Sequence, residues 1–176
     1  MNQKIWTAIL FFTLASNCNA QTCPLPLTVS NDRYTDLGNG TVLDNVTFLI
    51  WKKCSEGQSG VSCAGQPFVF TWAASTNHAA VHSFAGFDDW RIPNAKELYT
   101  LVETSCYGPA INSSIFPNSP IVWFWTSTSA ADSSNRAMCL DFYSGILLDR
   151  SSFSAVGSFS SEKQSSNAVR LVRAGQ

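Results

Sequence analysis

Charge is scarce in this chain. Asp, Glu, Lys and Arg make up 13% of its 176 residues, and histidine occurs only twice. The formal net charge is −1, or one unit lower once Lys4 is removed as argued below. So even a balance lacks the basic footprint that nucleic acid requires, which excludes that class of partner. Signatures of catalysis are missing as well: there is no G-x-S-x-G, no H-E-x-x-H and no phosphate-cradling glycine loop. No C-x-x-C pair occurs, and the cysteine spacings suit zinc poorly. No internal repeat or dividing linker is visible, and beyond the amino terminus no apolar run is long enough for a bilayer. A non-catalytic chain with no metal, no cofactor and no membrane span is expected.

What is present begins with an export signal. Met1 to Lys4 is short and carries one positive charge, Ile5 to Ala15 (IWTAILFFTLA) is apolar, and small residues surround Cys18-Asn19-Ala20. This is the three-part layout of a secretory signal peptide, with cleavage expected after Ala20. Acylation of Cys18 is the alternative, but Asn17 stands where a small residue is expected. The organisation predicted is a signal peptide at 1–20, an N-terminal segment at 21–32 and one domain at 33–176. A mature chain of that size buries about 70% of its unfolded surface, enough for a real core.

Export exposes the five remaining cysteines to an oxidising compartment. Cys54 and Cys63 bracket the loop SEGQSGVS and are the expected pair. Of the other three, Cys23 with Cys106 is favoured, leaving Cys139 as a free thiol; Cys106 with Cys139 is the rival.

The pattern along the chain predicts three short strands within 33–53, turned at Leu37-Gly38-Asn39-Gly40 and at Asp44-Asn45. Glycines at ligand positions make 36–44 a hairpin rather than a calcium loop. The run FLIW (48–51) suits a strand buried on both faces. Residues 71–84 predict a helix capped by Thr71, with Trp72, Ala73, Ala79, Ala80 and Phe84 on its apolar face. His78 and His82 then lie one turn apart on the opposite face. Such a pair can chelate a metal, but no third ligand is apparent, so solvent-exposed histidines are expected.

The stretch FDDWRIPNAKELYTLV (87–102) holds a capping box, Asn94 with Glu97, followed by Leu98, Leu101 and Val102 on one helix face. A second helix to about Thr104 follows. Asp88-Asp89-Trp90-Arg91 falls in the link, where Asp89 and Arg91 are expected to satisfy local needs around a buried Trp90. With no His or Cys beside them, they are scaffold and not an acid–base centre. Strands are then expected at 122–129, 136–142, 145–150 and 167–173. Met138, Leu140 and Phe142 should point inward, with Cys139 facing the other way.

Taken in order, D-x-G-x-G-T-V-x-D-N-x-T, L-x-W-x-K-C, T-W-A, F-A-G-F-D-D-W-R-I-P-N-x-K-E-L, P-A-I-N-x-x-x-F-P-N and V-R-L-V-R-x-G-Q give the chain a family likeness. It resembles the Lcl C-terminal domain family over about residues 33–176, a largely uncharacterised group named from a bacterial collagen-like adhesin. The resemblance implies an α+β, C-type-lectin-like fold, with two helices packed on mostly antiparallel sheet and long loops. It also implies that Asp89, Trp90, Arg91, Pro93, Asn94, Glu97, Trp123 and Trp125 define the fold. Leu37, Phe48 and Met138 depart from the usual Asn, Gly and Trp of the family. The E-P-N and Q-P-D calcium triplets of sugar-binding C-type lectins are absent, so fold likeness does not bring sugar binding with it.

The function expected is recognition or adhesion without catalysis, in the periplasm, at the cell surface or outside the cell. Resemblance to an adhesin domain implies an extracellular glycan or protein ligand, and a homo-oligomer is a candidate assembly. A structural subunit of a surface appendage is the alternative; an oxidoreductase like the formylglycine-generating enzymes is a more distant one, lacking a second reactive cysteine pair. The binding surface is expected on loops 129–135, 143–145 and 149–166. Tyr143, Arg150, Phe153 and Arg136 are the candidate ligand residues there, with Lys163 nearby. A polyanion would need Lys52, Lys53, Arg136 and Arg150 to cluster.

Overall fold

The computed structural model describes residues 21–131, 133–148 and 162–175. The predicted signal peptide, Arg150 and Phe153 lie outside the described residues. The three expected hairpin strands form: β1 (Tyr34–Asp36), β2 (Thr41–Asp44) and β3 (Leu49–Lys52). Helices α1 (Trp72–Ala80) and α2 (Ala95–Tyr99) follow, then β4 (Trp123–Ala130), β5 (Ser133–Asp141), β6 (Ile146–Leu148) and β7 (Val172–Ala174). The strands make two antiparallel sheets, ordered β1-β2-β3-β7 and β4-β5-β6. The fold class is therefore α+β with two helices, as expected.

Glycine makes the first hairpin possible. Gly38 and Gly40 adopt φ of 75° and 84°, and Asp36 accepts the Gly38 N–H to close the turn. At the second turn the buried Asp44 carboxylate takes Arg33 through two bonds and also accepts from Val46 N–H and the Thr47 hydroxyl. Those donors, with Arg33 foremost, hold its pKa below the usual carboxylate range although burial pushes it up.

The core has two halves, divided by strands that are buried on both faces. Phe124, Leu140 and Phe142 pack with Val42, Trp51, Leu98 and Phe116. Trp125, Ala137 and Cys139 face the other way, against Ile50, Trp90, Val169 and Leu171. Alternation along β5 is thus as expected for Leu140, Phe142 and Cys139, but Met138 is only half-buried. It lies on the same strand face as Leu140 nearer the sheet end, where the first core half no longer covers it.

Both disulfides are those favoured from the sequence. Cys54 is bonded to Cys63 and Cys23 to Cys106, and Cys139 is a buried free thiol. The second bridge works beside Glu103, a buried carboxylate that accepts from Thr28 N–H, Thr28 Oγ1, Val29 N–H and Ser105. Burial alone would raise the Glu103 pKa, but these donors outweigh it and bring the value down to about 2. A single side chain so fastens the N-terminal segment to the end of α2.

Both helices need correction. Thr71 caps α1 and accepts from Ala74 N–H, yet the helix stops at Ala80. Residues 84–87 instead form a tight turn with Ala85 and Gly86 at positive φ, Phe84 and Phe87 exchanging backbone bonds. The inward stripe of α1 is the buried Ser75 and Ala79 with the half-buried Trp72, while Ala73 and Ala80 are exposed. Ser75 is tolerated inside because its hydroxyl donates to Trp72 C=O. The α2 capping box is as predicted, with Asn94 and Glu97 each accepting the other's N–H. The α-helix ends at Tyr99, and the next residues tighten into i→i+3 bonds.

The link before α2 is packed into the fold, but Asp89 and Arg91 take other partners instead of meeting each other's needs as expected. Trp90 is 3% exposed and donates Nε1–H to Phe84 C=O. Asp89 reaches Arg173 on β7 at 2.6 Å, and Arg91 forms a fork with Glu97 at 2.8 and 2.7 Å. Pro93 C=O accepts from Ser127 N–H on β4, and the Trp125 indole donates to Phe70 C=O. Trp123 is half-buried against the second core half. Trp90→Ala removes a side chain from the meeting point of these elements. A loss of about 3–5 kcal/mol is expected in denaturant unfolding, and an unchanged midpoint would contradict the scaffold role.

Candidate functional site: a polar cleft and a histidine–carboxylate cluster

The segment after β3 turns through the Cys54–Cys63 bridge and passes beneath α1. Backbone bonds from Glu56 N–H to Val169 C=O and from Phe68 N–H to Glu56 C=O fix that path. Glu56 is consequently buried, 3% exposed, and points at α1. One of its oxygens accepts from Lys52 Nζ at 2.5 Å, the other from His78 Nε2 at 2.7 Å, and His82 Nδ1 lies 3.8 Å from the second oxygen. Lys52 Nζ is also 2.9 Å from His82 Nε2. An ammonium only donates, so His82 Nε2 accepts and its proton sits on Nδ1; the carboxylate only accepts, so His78 carries its proton on Nε2.

The two histidines are therefore not the solvent-exposed pair expected. Their side chains are 28% and 18% exposed and partly enclosed by aromatic rings, Phe70 stacking on His78 and Phe84 on His82. Together with Glu56 they form a group whose ligand atoms lie within 4.8 Å of one another. Glu56 was missed because 22 residues and a disulfide loop separate it from His78. The signal that could have raised it is the Lys52/Glu56 i,i+4 spacing beside the only acid of that loop.

Electrostatics follow from burial. Glu56 would have a raised pKa by desolvation, but Lys52 and then the histidines bring it below the ordinary value. Burial lowers His82 below 6.5, although Glu56 acts in the opposite direction. Beneath β3, Arg170 is fully buried and, among the described residues, has no carboxylate partner at bonding distance. Its guanidinium donates to the carbonyls of Lys52 and Lys53 and to the hydroxyls of Ser55 and Ser119. Desolvation brings its pKa to about 9, with Glu56 opposing. Arg170 thus clamps the exit of β3, where the disulfide loop begins.

Lys52 also lines a neighbouring cleft of about 370 Å³ between the β1–β2 turn and the disulfide loop. Phe84 supplies an aromatic wall, Asp36 and Lys53 a rim ion pair at 2.6 Å, and Asn39 and Gln58 amide groups. Val61 stands at the mouth, 89% exposed. A wider depression of about 630 Å³ lies across the loop, but its walls hold neither aromatic nor charged side chains.

Of the residues expected to bind ligand, the described Tyr143 and Arg136 do not line this cleft. Tyr143 is exposed at the β5–β6 turn, its N–H bonded to Asp141 and its C=O accepting from Gly108. Arg136 lies toward the other end of β5, where its backbone bridges Glu162, more than about 15 Å of extended strand from Tyr143. Lys163 sits over the Trp72 ring and bonds to Ser129. Of the described basic residues, Lys52 and Lys53 line the cleft and Arg136 does not. Lys52 is held by Glu56 and Lys53 by Asp36.

With this geometry in place, the chain belongs to the Lcl C-terminal domain family, whose profile matches residues 40–173. No curated protein matches the chain. Among the described residues no helix is long and apolar enough to cross a membrane. The two disulfides fit an oxidising, extracytoplasmic setting.

Because folding lowers the His82 pKa, the unfolded chain takes up that proton first, and stability must fall as pH drops through 6.5. The lowered Glu56 pKa adds a second decline below its unfolded value of 4.5. Urea midpoints measured from pH 8 to 3 are expected to show both steps, and His82→Gln should flatten the upper one. A midpoint constant between pH 7.5 and 5 in the unsubstituted protein would contradict this account.

Proposed function

We propose that this is an exported, non-catalytic recognition domain with a C-type-lectin-like arrangement, acting in the periplasm, at the cell surface or outside the cell. Its ligand is a glycan segment bound in the cleft beside Phe84. The observation that carries this function is the convergence of an aromatic ring, two amides and an ion pair around one concave space of ligand-binding size. A sugar ring has an apolar face and a rim of hydroxyls, and it needs just such a wall and such hydrogen-bonding partners. Support for a non-catalytic role comes from the thiols: four of the five described cysteines are paired and Cys139 is buried, which leaves no accessible pair for formylglycine-type chemistry. The loop surface around Tyr143 and Arg136 is a weaker choice because those residues stand apart.

A second function, as an assembly subunit, is favoured by Val46 and Phe48, both 67% exposed on the β2–β3 turn. A concentration-dependent oligomer in sedimentation, broken by Phe48→Ser, would support it.

Val61→Arg places a long side chain in the cleft mouth without touching the core. The oxidised protein is expected to capture members of a glycan array, and Val61→Arg to lose that capture with an unchanged melting temperature. Undiminished capture by Val61→Arg would exclude the cleft, and no glycan captured by the unsubstituted protein would exclude the ligand class.

A further inference from the structure

We infer that Glu56, His78 and His82 form a binding site for a divalent transition metal of the zinc class, with Lys52 as a competing positive charge beside it. The inference is independent of the glycan cleft. It starts from the donor set. One carboxylate and two imidazoles suit zinc, nickel or copper, whereas calcium and magnesium call for an all-oxygen shell. His78 lies on α1 and His82 two residues beyond its end, where the His82 N–H bond to Ala79 C=O keeps the two rings 5.1 Å apart, and Glu56 meets them from a separate segment.

Distances are close to those required. Tetrahedral ligands bonded at about 2.0–2.1 Å stand about 3.3–3.4 Å from one another. The His78 Nε2–Glu56 Oε2 distance of 2.7 Å has to open and the His82 Nδ1–Glu56 Oε2 distance of 3.8 Å has to close, each by about half an ångström. Side-chain rotations supply both, and the two histidine ligand atoms, within 4.8 Å of each other, have to close by up to about 1.4 Å in the same movement. Phe70 and Phe84 limit the rings to those rotations, and the partial exposure of the histidines leaves an entry path and an open fourth position.

The position of Lys52 is the second observation. Its ammonium lies 2.5 Å from Glu56 Oε1 and 2.9 Å from His82 Nε2. These are the other carboxylate oxygen and the other nitrogen of the ring, so Lys52 stands beside the metal position and already balances the charge of Glu56. Lys52 supplies the cation that the buried Glu56 needs, and a bound metal would supply it instead. Both rings would change tautomer, His78 to offer its Nε2 lone pair and His82 its Nδ1 lone pair; His82 Nε2 would then carry a proton, and the Lys52 ammonium would swing toward the cleft it already lines. If the cluster is a permanent ion-pair network, Lys52 is indispensable and metal has no place in it. If it is a metal site, removing Lys52 must strengthen metal binding.

Zinc titration of the oxidised full-length mature protein, followed by calorimetry at pH 7.5, separates these. The unsubstituted protein is expected to take up one zinc ion, with its melting temperature raised by zinc and not by magnesium. His78→Gln and His82→Gln should each weaken binding by about 100-fold or more. Lys52→Met should bind zinc at least about tenfold more tightly, since a like charge has been removed from beside the ion. Lys52→Gln, which keeps a hydrogen-bonding head, serves if Lys52→Met does not fold. Visible absorption of the cobalt(II) form gives a readout independent of affinity. No uptake by the unsubstituted protein, uptake that survives the double histidine substitution, or weaker zinc binding in the folded Lys52 variant would each overturn the site.

Discussion

A carboxylate sealed inside a protein has to be met by positive charge or by hydrogen-bond donors, and Glu56 meets that demand from three directions. Lys52 comes from the end of β3, His78 from α1 and His82 from just beyond it, and its own backbone is tied to Val169 and Phe68. Removing one partner of a buried pair costs about 3–5 kcal/mol because the other is left uncompensated. The cluster therefore holds the disulfide loop, the first sheet and the first helix in one arrangement. The cleft depends on it too, because Lys52 and Phe84 form walls of the cleft and the ammonium lies 4.4 Å from the centre of the Phe84 ring.

Around that point the two core halves act as supports on either side. Trp125 belongs to the half beneath α1, and its indole bond to Phe70 C=O steadies the ring that stacks on His78. Trp90 bonds to Phe84 C=O and so fixes the residue that faces both the cleft and His82. These tryptophans thus hold in place Phe70 and Phe84, the rings that pack on the two histidines.

Local chemistry was the legible part of the sequence. The Asn94/Glu97 box, the Thr71 cap, the glycine turn at 38–40 and the short Cys54–Cys63 loop are each decided within about ten residues of chain. Partnerships across the fold were not legible. Asp89 and Arg173 are 84 positions apart, and nothing near Asp89 distinguishes that partner from Arg91. The stripe of α1 was misplaced because a buried Ser75 and two half-buried histidines look polar, while the exposed Ala73 and Ala80 look apolar. Hydrophobicity could not reveal a face whose burial is compensated by hydrogen bonds. The same blindness hid Glu56, whose role appears only when the disulfide loop carries it under the helix.

The central claim is that Glu56 and Lys52 dictate the protonation pattern of the two rings. Long-range proton–nitrogen NMR at pH 7.5, on protein without added metal, reads that pattern directly. The account predicts opposite tautomers, with the proton on Nε2 in His78 and on Nδ1 in His82, and loss of the difference in Glu56→Gln. Two freely titrating rings that share one tautomer, unaffected by Glu56→Gln, would contradict it.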